Sequence, residues 1–520
     1  METISLQNIL SQLNIPLEIS GDPAGVMVGG ITFDSRNVKP GDIFVALVGG
    51  NADGHRFIPG ALDNGAVAVL GSQPMEKRLP VPYVRVDEPR LAMAHIAAAM
   101  HGFPARKMVM IGVTGTDGKT TTSSLLYHIL RAAGLNAGLI STVSAVIGDR
   151  ELDTGFHVTT PEAPDVQRYL KQMADEGITH VVLEATSHGL AQYRVAACEF
   201  DIAVVTNITH EHLDYHGSYE AYREAKARLF TGLKDTVQKQ QGNVRLAIIN
   251  RDDQSYEYLK LVSTGHCVSY GITAAADVLA TDIQHNASGI DFKVDIDGVR
   301  SDVHTTLVGD YNVSNCLAAI AAATKGVGIL LEKSCRAIAD FSGVPGRMER
   351  IDLGQNFTAI VDFAHTPNAL KVALETARKM TSQRILAVFG SAGLRDREKR
   401  RMMAEVSADL ADITILTAED PRTESLDEIL AEMAGAAVKK GGLEGETFFC
   451  VPDRGNAIRK AVQMAQPGDL VIACGKGHEQ SMCFGTVEYL WDDRVAMRAA
   501  LCDHLKIPGP LMPYLPTRDA

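Results

Sequence analysis

A glycine-rich loop that ends in lysine and threonine is the first feature of this 520-residue chain with residue types suited to chemistry. The segment from Gly112 to Thr122 follows an apolar run typical of a strand and opens a run typical of a helix. In that setting glycines let backbone N–H groups wrap phosphate oxygens, the lysine reaches the outer phosphates, and a threonine hydroxyl can hold Mg²⁺. The alternative is a plain glycine-rich turn with a surface lysine, and Val113 replaces the first glycine of the usual pattern. The predicted phosphate-binding residues are Gly115, Thr116, Asp117, Gly118, Lys119, Thr120 and Thr121.

Glu184 and His212 come shortly after apolar runs that predict neighbouring strands. Mg²⁺ usually takes one or two carboxylates together with substrate phosphates, so a metal role fits these positions. A capping glutamate and a solvated histidine explain the same spacing. Lys226 lies in a helical run, residues 221–230, and its surroundings in the sequence are those of a surface lysine.

Arg347 and Asp362 lie at the start of a later series of strands. We predict that both face the nucleotide, because an arginine can stabilise charge that develops on a transferred phosphoryl group. A salt bridge at a domain hinge is the alternative.

A carboxylate, a guanidinium and a second carboxylate follow other strands of the same series, at Asp420, Arg422 and Glu479. Arginine pairs bidentately with carboxylates, and acids receive ammonium groups. This combination predicts a site for a zwitterion.

Two series of short apolar runs alternate with helical patterns, which is typical of parallel α/β sheets. Ligands of such sheets bind beyond the carboxyl ends of the strands, where these polar residues lie. The runs span 108–113, 180–184, 201–206 and 245–250, then 357–362, 384–389, 412–417 and 469–474. We therefore predict an α/β protein of three domains: an N-terminal domain over 1–105, a central P-loop-type ATPase domain with a parallel sheet over 106–342, and a C-terminal Rossmann-like domain over 343–520.

Composition excludes several classes of protein. With 50 Lys and Arg against 63 Asp and Glu the formal charge is −13, which argues against binding nucleic acid or anionic lipid through bulk charge. A hydrophobic fraction of 46% with 22% charged residues is that of an ordinary globular protein. The eight cysteines form no CxxC pair and predict free thiols in a reducing compartment. Since we find neither a signal peptide nor a membrane span, we expect a cytoplasmic protein.

Taken together, the motifs resemble those of the Mur ligase family, and within it the branch that adds a diamino acid as the third peptide residue. The resemblance extends over nearly the whole chain. It rests on Asp34-Ser-Arg36, Gly115 to Thr121, Thr159-Thr-Pro-Glu162, Glu184 to Arg194, His212 to Gly217, Gly309 to Ala318, Gly346-Arg-Met-Glu349, Asp362 to Pro367, Asp420-Pro-Arg422 and Gly475 to Glu479.

The resemblance implies an ATP-dependent, amide-forming ligase of cytoplasmic peptidoglycan synthesis. In the family, a carboxylate of UDP-N-acetylmuramoyl-L-Ala-D-Glu attacks the γ-phosphate of ATP to give an acyl phosphate and ADP. The amine of the incoming amino acid then attacks the acyl phosphate and displaces phosphate. ATP and Mg²⁺ are the implied cofactors. A folylpolyglutamate-synthase-like ligase would not need the Asp34-Ser-Arg36 domain. A non-catalytic nucleotide-binding relative is the alternative of another class, and the intact Lys119, Lys226 and Arg347 argue against it.

The family positions also imply residue roles. Asn312 and Asn315 match positions near the adenine, and Arg347 and Asp362 match nucleotide contacts. Lys226 falls at the carbamylated lysine of the family, which replaces the surface interpretation and adds an anion near Mg²⁺ beside Thr120, Glu184 and His212. The N-terminal domain is implied to bind the UDP-sugar. Residues matching positions that hold the UDP-muramoyl-peptide are Phe33, Ser35, Gly50, Asn51, Ala52, Thr159, Thr160, Thr186, Gln192 and Arg194.

The chain departs from the family at the amino-acid site. Diaminopimelate-adding members carry Asp-Asn-Pro-Arg where this chain has Glu419, Asp420, Pro421 and Arg422. Arg422 still suits the second carboxylate of meso-diaminopimelate, a group that lysine and ornithine lack, whereas Asp420 would repel that carboxylate or attract an ammonium. We expect meso-diaminopimelate, with L-lysine or L-ornithine as the alternative. The remaining predicted amino-acid-binding residues are Arg395, Gly475 and Glu479.

Overall fold

The computed structural model describes residues 3–49, 52–148, 150–152, 160–209, 213–286 and 289–517, except for the side chains of residues 213 and 214. The chain divides into two compact units. The first comprises Met1–Thr305 with Asp310–Phe341, and the second comprises Thr306–Gly309 with Ser342–Ala520. The three domain bounds predicted above are not tested by this division and stay predictions.

The N-terminal part of the first unit forms a small α/β layer. Its elements are β1 (Ile4–Ser5), α1 (Leu6–Ser11), β2 (Glu18–Ser20), β3 (Met27–Val28), β4 (Gly30–Thr32), β5 (Asp42–Val45), α2 (Ile58–Asp63), β6 (Ala68–Gly71), β7 (Tyr83–Arg85) and α3 (Pro89–Met100). A five-stranded sheet has the order β2-β7-β6-β5-β4, in which only β2 is antiparallel to its neighbour. Strands β1 and β3 form a separate antiparallel pair.

The remainder of the first unit contains an eleven-stranded sheet in the order β11-β10-β9-β12-β8-β13-β14-β15-β16-β17-β18. Its strands are β8 (Val109–Thr114), β9 (Ala137–Ile140), β10 (Ala145–Ile147), β11 (Arg150–Leu152), β12 (His180–Glu184), β13 (Ile202–Val205), β14 (Leu246–Asn250), β15 (His266–Gly271), β16 (Val278–Asn286), β17 (Gly289–Ile296) and β18 (Val299–Thr305). Its helices are α4 (Lys119–Ala132), α5 (Ala163–Asp175), α6 (Ser187–Ala191), α7 (Leu213–His216), α8 (Tyr219–Thr231), α9 (Tyr256–Val262), α10 (Asp310–Ala321), which continues as a π-helical turn (Ala322–Val327), and α11 (Leu331–Ala339).

The central strands of this large sheet are parallel from β9 to β16, and antiparallel strands extend both ends. Strands β12, β8 and β13 lie side by side, and their residues are almost completely buried. Gly112 in β8 is needed for packing, because a Cβ there would lie 2.6 Å from Cδ1 of Leu229 in α8. The close approach of α8 brings that helix to the loop that follows β8.

The second unit contains a six-stranded sheet in the order β19-β20-β24-β21-β22-β23, parallel except for β19, and a β25-β26 hairpin. Its elements are β19 (Glu349–Arg350), β20 (Thr358–Asp362), α12 (Pro367–Met380), β21 (Ile385–Phe389), α13 (Glu398–Leu410), β22 (Ile413–Leu416), α14 (Leu426–Lys439), β23 (Phe448–Cys450), α15 (Arg454–Met464), β24 (Leu470–Cys474), β25 (Ser481–Phe484), β26 (Val487–Leu490) and α16 (Asp493–Leu505). Thr366, Ser425 and Asp453 cap α12, α14 and α15 through their side-chain oxygens, which explains where these helices begin.

The predicted α/β class is confirmed, and each predicted parallel strand lies within two residues of its observed bounds. The parallel strands β9, β15 and β23 were not predicted. Strands β16 to β18, which pair antiparallel with one another, and the β25-β26 hairpin were not predicted either, since their residues alternate in polarity without a βαβ pattern. All eight cysteines are free thiols, as predicted.

Candidate functional site

The predicted phosphate loop joins the end of β8 to the start of α4. Gly115 has no room for a side chain, because a Cβ would lie 1.8 Å from Oγ1 of Thr206. Gly118 has a φ of 80°, and a Cβ there would lie 2.2 Å from Oδ1 of Asn315. The first N–H groups of α4 lack partners within the helix and present a positive end to an anion. The loop thus has the backbone geometry of a phosphate-binding turn.

Two lysines donate hydrogen bonds to carbonyls of this loop. Lys119 Nζ donates to the Thr116 carbonyl oxygen at 2.6 Å, and Lys226 Nζ donates to that of Gly115 at 2.6 Å. Lys226 is only 1% exposed and lies 4.6 Å from the centre of the Tyr222 ring. The surface interpretation of Lys226 from its sequence surroundings is therefore wrong. The close packing of α8 buries this lysine, and a loop carbonyl satisfies it.

Glu184, at the end of β12, is 2% exposed and accepts hydrogen bonds from the Thr120 hydroxyl at 3.0 and 3.2 Å. The backbone N–H of Thr142 donates to the same carboxylate at 3.2 Å. The structure therefore brings together two of the predicted metal-associated residues, Thr120 and Glu184, each of which has an oxygen atom that can bind a metal ion. Among the described residues no group of three or more His, Cys, Asp or Glu side chains could hold a metal ion. His212, which is also predicted to bind the metal, lies outside the described residues.

The predicted adenine-side residues lie in the first turns of α10. Asn315 accepts from the Thr122 hydroxyl at 3.4 Å and donates to Asn312 at 2.9 Å. Both asparagines are about 95% buried. The proximity of Asn315 to Gly118 and its hydrogen bond with Thr122 place α10 directly against the phosphate loop.

A second polar group, beside α6, contains four residues predicted to hold the muramoyl-peptide. The hydroxyl of Thr186 caps α6 and lies 3.0 Å from that of Thr160. Arg194 donates to Gln192 at 2.8 Å and to the Thr160 carbonyl oxygen at 2.8 Å. Burial lowers the pKa of Arg194, and the negative charge of the nearby Glu162 opposes that shift.

Sequence reasoning left two residues of this group out of the predicted site. Glu162 forms an ion pair with Arg194 at 2.8 Å and with Arg90 at 3.4 Å. Glu162 ends the family motif Thr159-Thr-Pro-Glu162, which is the signal that could have identified it. Arg90, at the start of α3, has no such signal because it meets Glu162 only in the folded chain.

The other predicted UDP-muramoyl-peptide residues lie in the N-terminal part or outside the described residues. Phe33 is 39% exposed, Ala52 is exposed, and Ser35 lies in a short 3₁₀ turn capped by Asp34. Three predicted residues of this group lie outside the described part of the chain: Gly50, Asn51 and Thr159.

In the second unit, the predicted nucleotide contacts Arg347 and Asp362 surround Phe363. The Arg347 guanidinium lies 4.4 Å from the centre of the Phe363 ring, and the His478 ring lies 4.7 Å from it. Asp362 accepts from the backbone N–H groups of Met348 at 2.7 Å and Ala364 at 2.8 Å. Burial raises the pKa of Asp362, opposed by Arg347. Burial and the neighbouring Arg347 lower the pKa of His478 to about 3, so this imidazole is neutral near pH 7.

Two of the predicted amino-acid-binding residues, Asp420 and Glu479, form ion pairs with Lys476, and we call these three residues the acidic triad. Lys476 Nζ lies 3.0 and 3.1 Å from the two Asp420 oxygens and 2.5 Å from Glu479. Burial alone would lower the pKa of Lys476, but Glu479 and Asp420 outweigh burial and raise it. Lys476 was not among the predicted site residues, since nothing in the sequence shows that it meets Asp420.

Glu419 lies beside the acidic triad with one oxygen, Oε2, buried without a hydrogen-bond partner among the described residues. A Cβ on Gly475 would lie 2.1 Å from this oxygen, so only glycine fits there. Burial raises the pKa of Glu419 to about 7, with Arg454 and Lys476 opposing the shift. The carboxyl group is therefore half-protonated near neutral pH.

Arg422 and Arg395, the predicted carboxylate receivers, form no ion pair with any side chain in the described part of the chain. Asp420 and Arg422 have φ values of 42° and 54°, a region that costs a side-chain-bearing residue about 1 kcal/mol or more. Pro421 between them leaves no space beside Gly393, where a Cβ would lie 2.0 Å from the Pro421 carbonyl oxygen. The loop that carries Arg395 thus packs against the one that carries Arg422.

Comparison with known proteins adds an independent line of argument. Three family descriptions match this chain: "Mur ligase family, catalytic domain" over residues 27–101, "Mur ligase middle domain" over 113–323 and "Mur ligase, glutamate ligase domain" over 346–477. No helix in the described part of the chain is long and apolar enough to cross a bilayer.

The chain is 43% identical to a UDP-N-acetylmuramyl-tripeptide synthetase of Roseiflexus sp. (strain RS-1), covering 96% of this chain and 99% of that protein. It is 42% identical to a UDP-N-acetylmuramoyl-L-alanyl-D-glutamate–2,6-diaminopimelate ligase of Geobacillus kaustophilus (strain HTA426), covering 91% and 94%. A solved structure of a ligase with that second name superposes with a TM-score of 0.67 at 32% identity, covering 97% of this chain and all of that one. The resemblance inferred from the motifs is confirmed, and the chain belongs to the Mur ligase family of ATP-dependent, amide-bond-forming ligases.

Proposed function

We propose that this ligase adds meso-diaminopimelate to UDP-N-acetylmuramoyl-L-alanyl-D-glutamate in peptidoglycan precursor synthesis. The proposal that the amino acid is meso-diaminopimelate rests on the distribution of charge in the second unit. The carboxylate of Asp420 is bound to Lys476, whereas the guanidinium of Arg422 forms no ion pair with the described residues. A substrate with a second carboxylate can supply the missing partner, and lysine or ornithine cannot. Two of the relatives above are named for this reaction.

In the proposed reaction, a carboxylate of the UDP-muramoyl-dipeptide attacks the γ-phosphate of ATP, and ADP leaves. The amine of the amino acid then attacks the acyl phosphate, so that an amide bond forms and phosphate departs. Lys119 and the N–H groups of α4 would hold the phosphates against charge repulsion. Thr160, Thr186, Gln192 and Arg194 would orient the dipeptide, and Arg347 and Asp362 would contact the nucleotide.

Thr120 and Glu184 have the donor chemistry for Mg²⁺, since a hydroxyl and a carboxylate within hydrogen-bond distance of one another are hard oxygen ligands. We propose that they hold Mg²⁺ with His212 and a modified Lys226, and that the ion neutralises charge on the nucleotide phosphates when bound.

We also propose that Lys226 is carbamylated. A neutral lysine amine adds CO₂ and releases one proton, which turns a cation into an anion of carboxylate type. The side chain is buried at the phosphate loop, where an anion could support a metal that a lysine cation would repel. Lys226→Ala should be nearly inactive, and short carboxylic acids should restore part of the rate. An inactive variant that no acid rescues, or a fully active one, contradicts the carbamate.

The test of the function is phosphate release from ATP by the purified protein with the UDP-muramoyl-dipeptide and one amino acid at a time. We expect the highest kcat/KM with meso-diaminopimelate and a tripeptide product detected by mass spectrometry. Faster turnover of L-lysine or L-ornithine would identify the alternative substrate. Absence of amino-acid-dependent release with all three would contradict the proposed reaction.

We further propose that the enzyme works in the cytoplasm, where free thiols persist and where ATP and UDP-sugars are available. Loss of the protein would then weaken the wall and disturb cell shape and division.

A further inference from the structure

Asp420 is held by two residues that lie 56 and 63 positions further along the chain, Lys476 and Cys483. Asp420 belongs to the loop after β22, Lys476 to the loop after β24, and Cys483 to β25. The backbone N–H of Cys483 donates to Oδ1 of Asp420 at 2.9 Å, while Lys476 Nζ contacts both oxygens of the same carboxylate. The negative charge of Asp420 is therefore neutralised by Lys476, and both of its carboxylate oxygens accept hydrogen bonds from within the protein.

The same strand holds the backbone of Arg422. The N–H of Arg422 donates to the Cys483 carbonyl oxygen at 3.1 Å, and the N–H of Gly485 donates to the Arg422 carbonyl oxygen at 2.7 Å. Asp420 and Arg422 both have the left-handed backbone conformation that side-chain-bearing residues rarely adopt. Such a conformation persists only where surrounding contacts impose it, and the contacts with Lys476 and β25 are the ones that do so here.

We propose that the Asp420–Lys476 ion pair is a positioning device that holds Arg422 for the second carboxylate of the amino-acid substrate, and that Asp420 makes no contact with the charged groups of that substrate. The inference rests on the proposed function and adds to it a pair of specificity-determining residues. Asp420 is 6% exposed and Lys476 is 0% exposed, whereas the side chain of Glu479 is 26% exposed and remains accessible to an ammonium group.

Two other roles for Asp420 give different outcomes when its charge is removed. If Asp420 faced the carboxylate of the substrate, Asp420→Asn would lower the KM for meso-diaminopimelate. If it received an ammonium, the same change would raise the KM for lysine and meso-diaminopimelate alike. A positioning role predicts a KM for meso-diaminopimelate raised ~10-fold, an unchanged KM for lysine, an unchanged order of amino acids, and unchanged KM values for ATP and the UDP-muramoyl-dipeptide.

Lys476→Met leaves a buried carboxylate without its counter-charge, so we expect a larger effect, of ~10²-fold in the KM for meso-diaminopimelate. The double variant Asp420→Asn with Lys476→Met removes both charges and should recover most of that loss. A merely structural lysine would show no such recovery. Lys439→Met, at an exposed lysine of α14, is the matched control and should leave every KM unchanged.

Melting midpoints of all variants show whether each one is folded. If Lys476→Met is not folded, Lys476→Arg, which keeps the charge, is used in its place. Lys476→Arg should then lie near the wild type. Additive losses in the double variant, or a lower KM for meso-diaminopimelate in Asp420→Asn, overturn the positioning role.

Wild-type turnover tests the proposed function separately. If the wild type prefers lysine, the proposed substrate is wrong and a pair that holds Arg422 for a second carboxylate is overturned with it. If the wild type prefers meso-diaminopimelate, only the ratios between variants decide the role of the pair.

Discussion

The phosphate loop of the first unit and the acidic triad of the second each use a lysine, in opposite ways. Lys119 donates to a neutral backbone carbonyl, whereas Lys476 is bound by two carboxylates. A carbonyl leaves the charge of a lysine largely uncompensated, so a phosphate can take the place of the carbonyl with a gain in electrostatic energy. A carboxylate neutralises the lysine, which then serves the structure. The partner of a lysine therefore separates a ligand-binding cation from a structural one.

The strongest way to break this comparison is to remove the ligand-binding cation. In Lys119→Ala the outer phosphates lose their point charge, and we expect kcat to fall ~10²–10³-fold or more. Steady-state phosphate release at saturating ATP measures the effect, with Lys77→Ala, an exposed lysine of the N-terminal part, as the control. Near-normal turnover would show that Lys119 is as structural as Lys476.

The second prediction concerns the cation that the acidic triad leaves available. Arg422→Ala should raise the KM for meso-diaminopimelate ~10²-fold, because the second carboxylate loses a charged partner, and should hardly change any residual activity with lysine. Arg350→Ala, in the same unit, is the control and should have no effect. Equal losses with both amino acids would mean that Arg422 supports the fold and not the carboxylate.

A smaller effect is expected from the backbone of the phosphate loop. Gly118→Ala places a Cβ against Asn315 and should raise the KM for ATP ~10-fold by displacing the loop. Gly134, at the other end of α4, has a similar φ of 86° with nothing within 4 Å of its Cβ position. Gly134→Ala therefore carries the same backbone strain without the collision, and its KM for ATP should stay normal. An equal rise of the KM for ATP in the two variants would show that backbone strain, and not the collision with Asn315, causes the effect.

The smallest effect on activity concerns Glu419. Burial of this side chain raises its pKa from 4.5 to about 7. The folded protein keeps this proton over a range in which the unfolded chain has lost it. The resulting stabilisation is present below pH 4.5 and is lost as pH rises through about 7. Glu419→Gln removes the titration, so its advantage over the wild type should grow by up to about 3 kcal/mol between about pH 5 and pH 8.

Melting midpoints across that pH range measure the difference between Glu419→Gln and the wild type. Glu446→Gln, at an exposed acid of the same unit, is the control and should show no pH-dependent difference. The same constant difference in both variants would contradict a buried, half-protonated Glu419.

The two regions also differ in how far the sequence predicts them. The phosphate loop follows from local rules, since Gly115 and Gly118 sit between a strand and a helix at a fixed spacing. Glu184 was placed at a strand end and lies there, in contact with Thr120. Lys226 was misplaced by its surroundings in the sequence, because its burial depends on how closely α8 approaches β8. The Asp420–Lys476 pair joins residues 56 positions apart, and no local pattern reports such a contact.

The close approach of Gly475 to Glu419 bears on attempts to redesign the enzyme for another amino acid. Exchanging residues 419–422 alone would introduce a loop that must still fit three neighbours: Gly475, where an added Cβ would lie 2.1 Å from the Glu419 oxygen, a buried lysine that needs an acid, and a strand that pairs with Arg422. The transplantable unit is therefore composite: residues 419–422, 475–479 and 481–485 have to be grafted together, and chimeras that cut between them should fold poorly whatever substrate they were designed to accept.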